Sequence, residues 1–237
     1  MVKKLDIRNL LFLDIETVPE FATFDELSSE KKLLWEIKSQ YQRKEDCSPE
    51  AFYERAGIWA EFGKIVCISV GYFAFQGEKR KFRLKSFSGD EKKLLLEFRE
   101  LLGTHFNKPQ HLLCAHNGKE FDFPFLARRM LIHDMELPVK LDLFGKRPWE
   151  VPHLDTLELW KFGDHKHFTS LKLLTQVLGI PSPKDDIDGS EVRNVYYEQN
   201  DLKRIAAYCE KDVVAIAQIL LKFRQELLLL EEEIFSV

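Results

Sequence analysis

Between Leu10 and Val18 the chain is apolar except at Asp14, Glu16 and Thr17. An apolar run of this length reads as a strand inside a sheet, and only the carboxylates interrupt it. They are two residues apart, so both project from one face of the strand. Two anions side by side in apolar surroundings need a counter-charge. A hard divalent cation such as Mg2+ or Mn2+ supplies one, because carboxylate oxygens suit it; the bland alternative is a strand end open to solvent.

The pattern around this strand points to an α/β architecture. From Ser28 to Trp59 charged, helix-favouring sequence takes over after Pro19, with Lys31, Leu34, Trp35 and Lys38 at helical spacing and a second start at Ser48-Pro49. Lys64 to Phe75 and Lys81 to Phe87 read as a hairpin turning at Gly77. An amphipathic helix follows from Asp90 to Leu102, then a strand from His111 to His116 and a helix from Phe121 to Ile132. After a Pro- and Gly-rich stretch from Asp134 to Pro152, helices are expected over Asp155–Phe162, Thr169–Leu178 and Asp201–Glu232. The expectation is a mixed central sheet of about five strands flanked by helices, with a helical insertion over about 28–59 and one domain spanning 1–237.

Composition narrows the partners. The 237 residues are 45% hydrophobic with 19 Phe, enough for an aromatic-rich core, and the formal net charge is −4. That balance argues against broad electrostatic adhesion to nucleic acid, but not against a grip on one strand end through metal ions. Cys47, Cys67, Cys114 and Cys209 are dispersed and read as free thiols. No leader-like apolar stretch or membrane-length run is visible, so a cytoplasmic location without membrane contact is expected.

Two further segments carry acidic groups. In His116-Asn117-Gly118-Lys119-Glu120-Phe121-Asp122 the aspartate stands at a helix start, where it could merely cap the helix. Asn117 adds an amide, Gly118 permits close approach, and Phe121 and Phe123 could offer faces to a base. Tyr208 and Asp212, in Y-C-E-K-D, share one helix face, where packing is the plain reading of the tyrosine.

In order and context these segments resemble the DEDD exonucleases with the tyrosine form of the third motif. They are most similar to the proofreading domains of family-B DNA polymerases and their stand-alone bacterial relatives, over roughly Leu10 to Phe223. The resemblance implies a ribonuclease H-like fold in which Asp14, Glu16, Asp122 and Asp212 hold two divalent cations, Mg2+ or Mn2+. It implies that Tyr208 helps position the attacking water, that Thr17, Asn117 and Phe121 lie near the terminal nucleotide, and that single-stranded DNA is hydrolysed from its 3′ end to mononucleotides by two-metal chemistry. A polymerase or a replication and repair protein would be a partner. An exoribonuclease of the same superfamily and a non-catalytic module that recruits a polymerase are the competing readings.

Three other signals are set aside. Asp164-His165-Lys166-His167 lacks a second ligand pair at zinc spacing, and reads as a solvated loop near the nucleic-acid path. Lys79 to Lys85 alternates basic and apolar residues and fits either a backbone guide or a protected edge. Gln218 to Phe223 resembles a sliding-clamp peptide but continues a helical apolar pattern; Leu227 to Leu230 would cover the core or a dimer partner.

Overall fold

The computed structural model describes residues 2–164, 166–181 and 187–236. Among the described residues six strands form one sheet: β1 (Leu10–Pro19), β2 (Gly63–Gln76), β3 (Lys79–Ser88), β4 (Leu112–Ala115), β5 (Leu154–Asp155) and β6 (Ile234–Ser236), in the order β5-β4-β1-β2-β3-β6. β1, β2 and β3 are antiparallel neighbours, whereas β4 runs parallel to β1, β5 to β4 and β6 to β3. The sheet is mixed, as expected, with six strands instead of about five. Two- and three-residue strands are too short to show a period in sequence.

Helices α1 (Ser29–Ser39) and α2 (Pro49–Phe52) lie in the insertion, followed by α3 (Glu91–Thr104), α4 (Asp122–Ile132), α5 (Thr156–Lys161), α6 (Leu171–Val177), α7 (Val192–Tyr197) and α8 (Leu202–Arg224). The alternation along β1 divides the core. Leu11, Leu13 and Ile15 pack with α3 and α4, while Leu10 and Phe12 face α8. At Gly71 a Cβ would fall 2.4 Å from the Phe82 ring and 2.8 Å from Val213, so the glycine lets that ring pack beneath α8.

The insertion has its own core around Trp35, which is fully buried among Phe52, Tyr53, Trp59 and Phe62 and donates from Nε1 to the Pro49 carbonyl at 2.7 Å. It is fastened to the end of β1, where a Cβ on Gly57 would come within 3.0 Å of the Val18 carbonyl carbon. A buried ion pair holds α4 to its neighbours. Arg129 donates to Glu91 and to the Ala60 carbonyl, and Glu91 also accepts from the Ile65 N–H. Removing one partner of such a pair costs about 3–5 kcal/mol, because the other charge is left buried alone.

Two expectations about the helices need correction. The last helix ends at Arg224, not Glu232: Gln225 turns left-handed at φ 60° and the Glu226 N–H donates to the Leu221 carbonyl. Beyond it, the Gln218 amide both accepts from and donates to the Leu229 backbone, at 2.8 and 2.9 Å, and folds the tail back toward β6. Leu229 is buried, Leu228 is half-buried against the same core and Leu227 is exposed, so that run covers the core without forming a helical face. Helix α7 lay in sequence assigned no element; its Val192 and Val195 pack beneath Val18 and Ile205.

Candidate active site

Asp14 and Glu16 face the α8 side of β1, opposite Ser69 and Cys67. β2 carries one extra residue, Val66, between Cys67 and Ile65, the partners of Glu16 and Thr17. A bulge of this kind increases the local twist and re-aims nearby side chains. Thr17 opposes Ile65, a residue of the α3/α4 core, and is therefore on the other face from Glu16.

Parallel β4 ends beside β1, and the chain turns into α4 through a tightly fixed loop. Asn117 is left-handed at φ 63°, a conformation asparagine tolerates. Buried Asp155 holds this turn, accepting from the N–H groups of Asn117 at 2.9 Å and Lys119 at 3.1 Å while also capping α5 through Leu157 at 2.9 Å. A Cβ on Gly118 would lie 2.4 Å from that of Ala115, so a glycine is required there. The turn delivers Asp122, 3% exposed, as the first residue of α4.

The third contribution comes from α8, where Tyr208 and Asp212 are one turn apart. Asp14, Glu16, Asp122, Tyr208 and Asp212, with Asn117 and Phe121, line one cavity of about 240 Å3. Thr17 is not among the lining residues. Phe123 is fully buried with its ring against His153, because the first turn of α4 points it into the core, so it offers no face to a base. A larger hollow of about 710 Å3 between α3 and residues 136–140 has no comparable group of buried carboxylates.

The carboxylates repel one another in a poorly solvated place. Burial above all, then the charges of Asp212, Glu16 and Asp122, hold the Asp14 carboxyl well above its ordinary range, against the pull of the Cys209 thiol. That S–H donates to Asp14 Oδ2 at 3.4 Å. Glu16 is raised in the same way by burial, then by Asp212, Cys67 and Asp122. Asp122 is pushed up to about 7 by burial, with Asp155 and Asp212 adding to the rise and backbone hydrogen bonding from Asp122 and Ile15 opposing it. The Tyr208 phenol is held far above its usual range by burial, then by Asp212, Glu16 and Asp14.

Such a site fits a hard cation. The donors are mostly carboxylate oxygens, and ligand atoms of Asp14, Glu16 and Cys209 lie within 4.8 Å of one another. Cys209 is buried behind Asp14 and does not line the cavity.

A family described as a predicted 3′-5′ exonuclease related to the exonuclease domain of PolB matches residues 58–235. The chain belongs to that family. The matched range of this PolB-exonuclease relative includes Asn117, Phe121, Asp122, Tyr208 and Asp212, and begins after β1. Among solved structures, the family B DNA polymerase from the hyperthermophilic archaeon Pyrobaculum calidifontis is similar at a TM-score of 0.51 and 15% identity, over 90% of this chain and 24% of the polymerase. The likeness shows the fold, a ribonuclease H-like α/β sheet, and the chain spans about a quarter of the polymerase's length. Among the described residues no helix is long and apolar enough to cross a membrane.

Three residues at or behind the cavity of this family member had no role in the sequence reading. His116 lines it with both ring nitrogens engaged, Nδ1 with the Thr156 hydroxyl at 2.9 Å and Nε2 with the Thr169 carbonyl at 2.8 Å. Phe168 lines it from the loop before α6 and is 67% exposed. Asp155 supports the turn from behind. The position of His116 beside Asn117 was a usable signal; Phe168 had none, since its loop reads as solvated. In that loop Asp164 accepts from His167 Nδ1 at 2.7 Å and from the Lys166 N–H, and His165 lies outside the described residues.

Proposed function

We propose that this chain, acting as one domain, removes mononucleotides from the 3′ end of single-stranded DNA by metal-dependent phosphodiester hydrolysis. The observation that supports this reading is the convergence of Asp14, Glu16, Asp122, Tyr208 and Asp212, from three separate elements, on one cavity. Asp14, Glu16, Asp122 and Asp212 would hold two Mg2+ or Mn2+ ions, which supply charge neutralisation at the phosphate and acidification of the attacking water. The chain's own groups do the positioning.

Tyr208 hydrogen-bonds to Asp212 and its phenol stays protonated, so it orients a water as a hydrogen-bonding group and does not serve as the base. The Nε2–H of His116 donates to the Thr169 carbonyl, which leaves Nδ1 to accept from Thr156. With both nitrogens occupied, His116 builds the cavity wall and does not shuttle protons. Phe121 and Asn117 would contact the base and sugar of the last nucleotide, Phe121 with a ring backed by Phe125 at 5.3 Å. DNA is preferred over RNA because the family is related to a DNA polymerase's exonuclease domain.

The test is a time course with 5′-labelled single-stranded DNA and matched RNA, in Mn2+, Mg2+ or chelator, beside Asp14→Ala. A metal-dependent ladder shortening from the 3′ end of DNA, absent in the variant, is the expected result. Preferential digestion of RNA would move the assignment to an exoribonuclease. No cleavage of either strand with any metal would overturn the enzymatic reading.

A further inference from the structure

The β2–β3 hairpin extends beyond the helical cover on one face. The buried core shared with α3 and α4 reaches Val70 and Phe87 on these strands, and its margin is half-buried Tyr72, whose ring packs against Phe106 at 5.9 Å. From there the register sets Lys85 beside Val70, Arg83 beside Tyr72, Lys81 beside Ala74 and Lys79 beside Gln76, so four cations project from the same side. β6 places Phe235 next to Arg83, and the Lys81 ammonium lies 5.4 Å from the centre of the Phe235 ring. The opposite face of the same hairpin is covered. Phe73, Phe82 and Leu84 pack under α8, and Arg80 is committed to Glu233 and to the carbonyls of Leu227 and Leu228.

Among the described residues Lys79, Lys81, Arg83 and Lys85 form no ion pair with any carboxylate, and Lys79, Arg83 and Lys85 are exposed. Lysines that guard a free sheet edge would be the simplest account. It fails for Arg83, because residues 82–84 are paired to β2 on one side and to β6 on the other. Side by side on one sheet face, like charges repel and weaken the fold. A polyanion relieves that repulsion, and an exposed ring among the cations suits a nucleic acid better than an acidic protein surface.

We propose that this face binds the phosphate backbone of the single-stranded substrate upstream of the 3′ end held in the cavity, forming a second contact that long strands reach and short ones do not. The inference rests on the function proposed above. Glu16 pairs with Cys67 whereas Lys81 pairs with Ala74, seven residues further along β2 (74 − 67), which at 3.3 Å per residue is about 23 Å. The Asp14 and Glu16 side chains also face α8, whereas the cations lie on the other side of the sheet. At the duplex spacing of about 3.4 Å per phosphate about seven nucleotides cover that length, and passing around the sheet takes more.

The experiment compares the wild type with a Lys81→Gln, Arg83→Gln, Lys85→Gln triple variant on single-stranded DNA of about five and about thirty nucleotides, reading both turnover and binding against salt. The variant is expected to match the wild type on the short strand and to bind the long one more weakly. Its plot of log affinity against log salt should flatten by about 2, the loss of three phosphate contacts. Equal salt slopes for both proteins on the long strand would overturn the proposal, as would a triple variant that binds DNA normally but loses an acidic protein partner. Absence of turnover in both proteins would count against the exonuclease reading alone, since the long-strand binding comparison is still read with chelator present.

Discussion

Asp122 shows what burial costs an acid. Its carboxyl ordinarily titrates near 3.8 and is pushed up to about 7 here, so above pH 7 the folded chain carries a charge that its surroundings disfavour. That cost is present in full at pH 8 and is relieved as pH falls from 7 toward 4, where the folded state takes up the proton first. Asp122→Asn is therefore expected to stabilise the metal-free protein at pH 8 by on the order of a few kcal/mol while abolishing hydrolysis, with the gain shrinking in saturating Mg2+. Chemical denaturation with and without chelator checks it; a variant less stable than the wild type in chelator would contradict it. For Tyr208 the expectation is different, because it touches the carboxylates through a neutral phenol. Tyr208→Phe should lower kcat about 10²-fold and leave metal affinity nearly intact, which calorimetric titration of Mn2+ beside single-turnover kinetics would separate. At this scale much was legible: the spacing of Asp14 with Glu16 and of Tyr208 with Asp212 fixes shared faces. Phe123 was misjudged because spacing along a helix does not say which way its first turn points.

Gln218 illustrates how an element boundary depends on a contact far along the chain. The apolar pattern from Val213 to Leu230 is continuous in sequence, yet the helix stops where Gln225 turns and Gln218 captures the Leu229 backbone. No period in the sequence encodes that capture, because its energy comes from satisfying a buried amide. Gln218→Ala leaves the Leu229 N–H and carbonyl unpartnered, so a loss of about 1–3 kcal/mol is expected, with faster amide exchange across 227–236. Unchanged exchange in that segment would mean that Arg80 and Glu233 alone hold the tail. The hairpin, α3 and α4 were legible for the opposite reason. Their periods are long and their starts are marked locally, as at Asp90, which accepts from the Lys93 N–H at 3.0 Å.

For the whole molecule, the buried carboxyls of the cavity and a buried histidine pull the stability profile in opposite directions, and the sheet explains both. Strand order could not be read in advance, since β5 pairs over two residues and β6 over three, but closing that order is what buries His153 against β4. Its Nδ1 accepts from the Leu113 N–H at 3.2 Å and its Nε2 donates to the Lys140 carbonyl at 2.7 Å, tying the long 134–152 segment to the sheet in the neutral form. Burial lowers its pKa to about 4, from an ordinary 6.5. The stability it contributes is present in full above pH 6.5 and is lost as pH falls toward 4, where the unfolded chain gains the proton first; the difference is on the order of 3 kcal/mol. Asp122, Asp14 and Glu16 all act against this, since each raised carboxyl favours the folded state as it takes up its proton, so in the metal-free wild type the acid loss due to His153 should be masked. Loading the carboxylates with Mg2+ removes their share and exposes the histidine's, so the metal-bound protein should lose stability more steeply on acidification. Urea denaturation of wild type and His153→Gln at pH 8, 6.5 and 5, in each metal condition, measures both contributions. A His153→Gln profile with the same acid slope as the wild type in Mg2+ would show that another group titrates there.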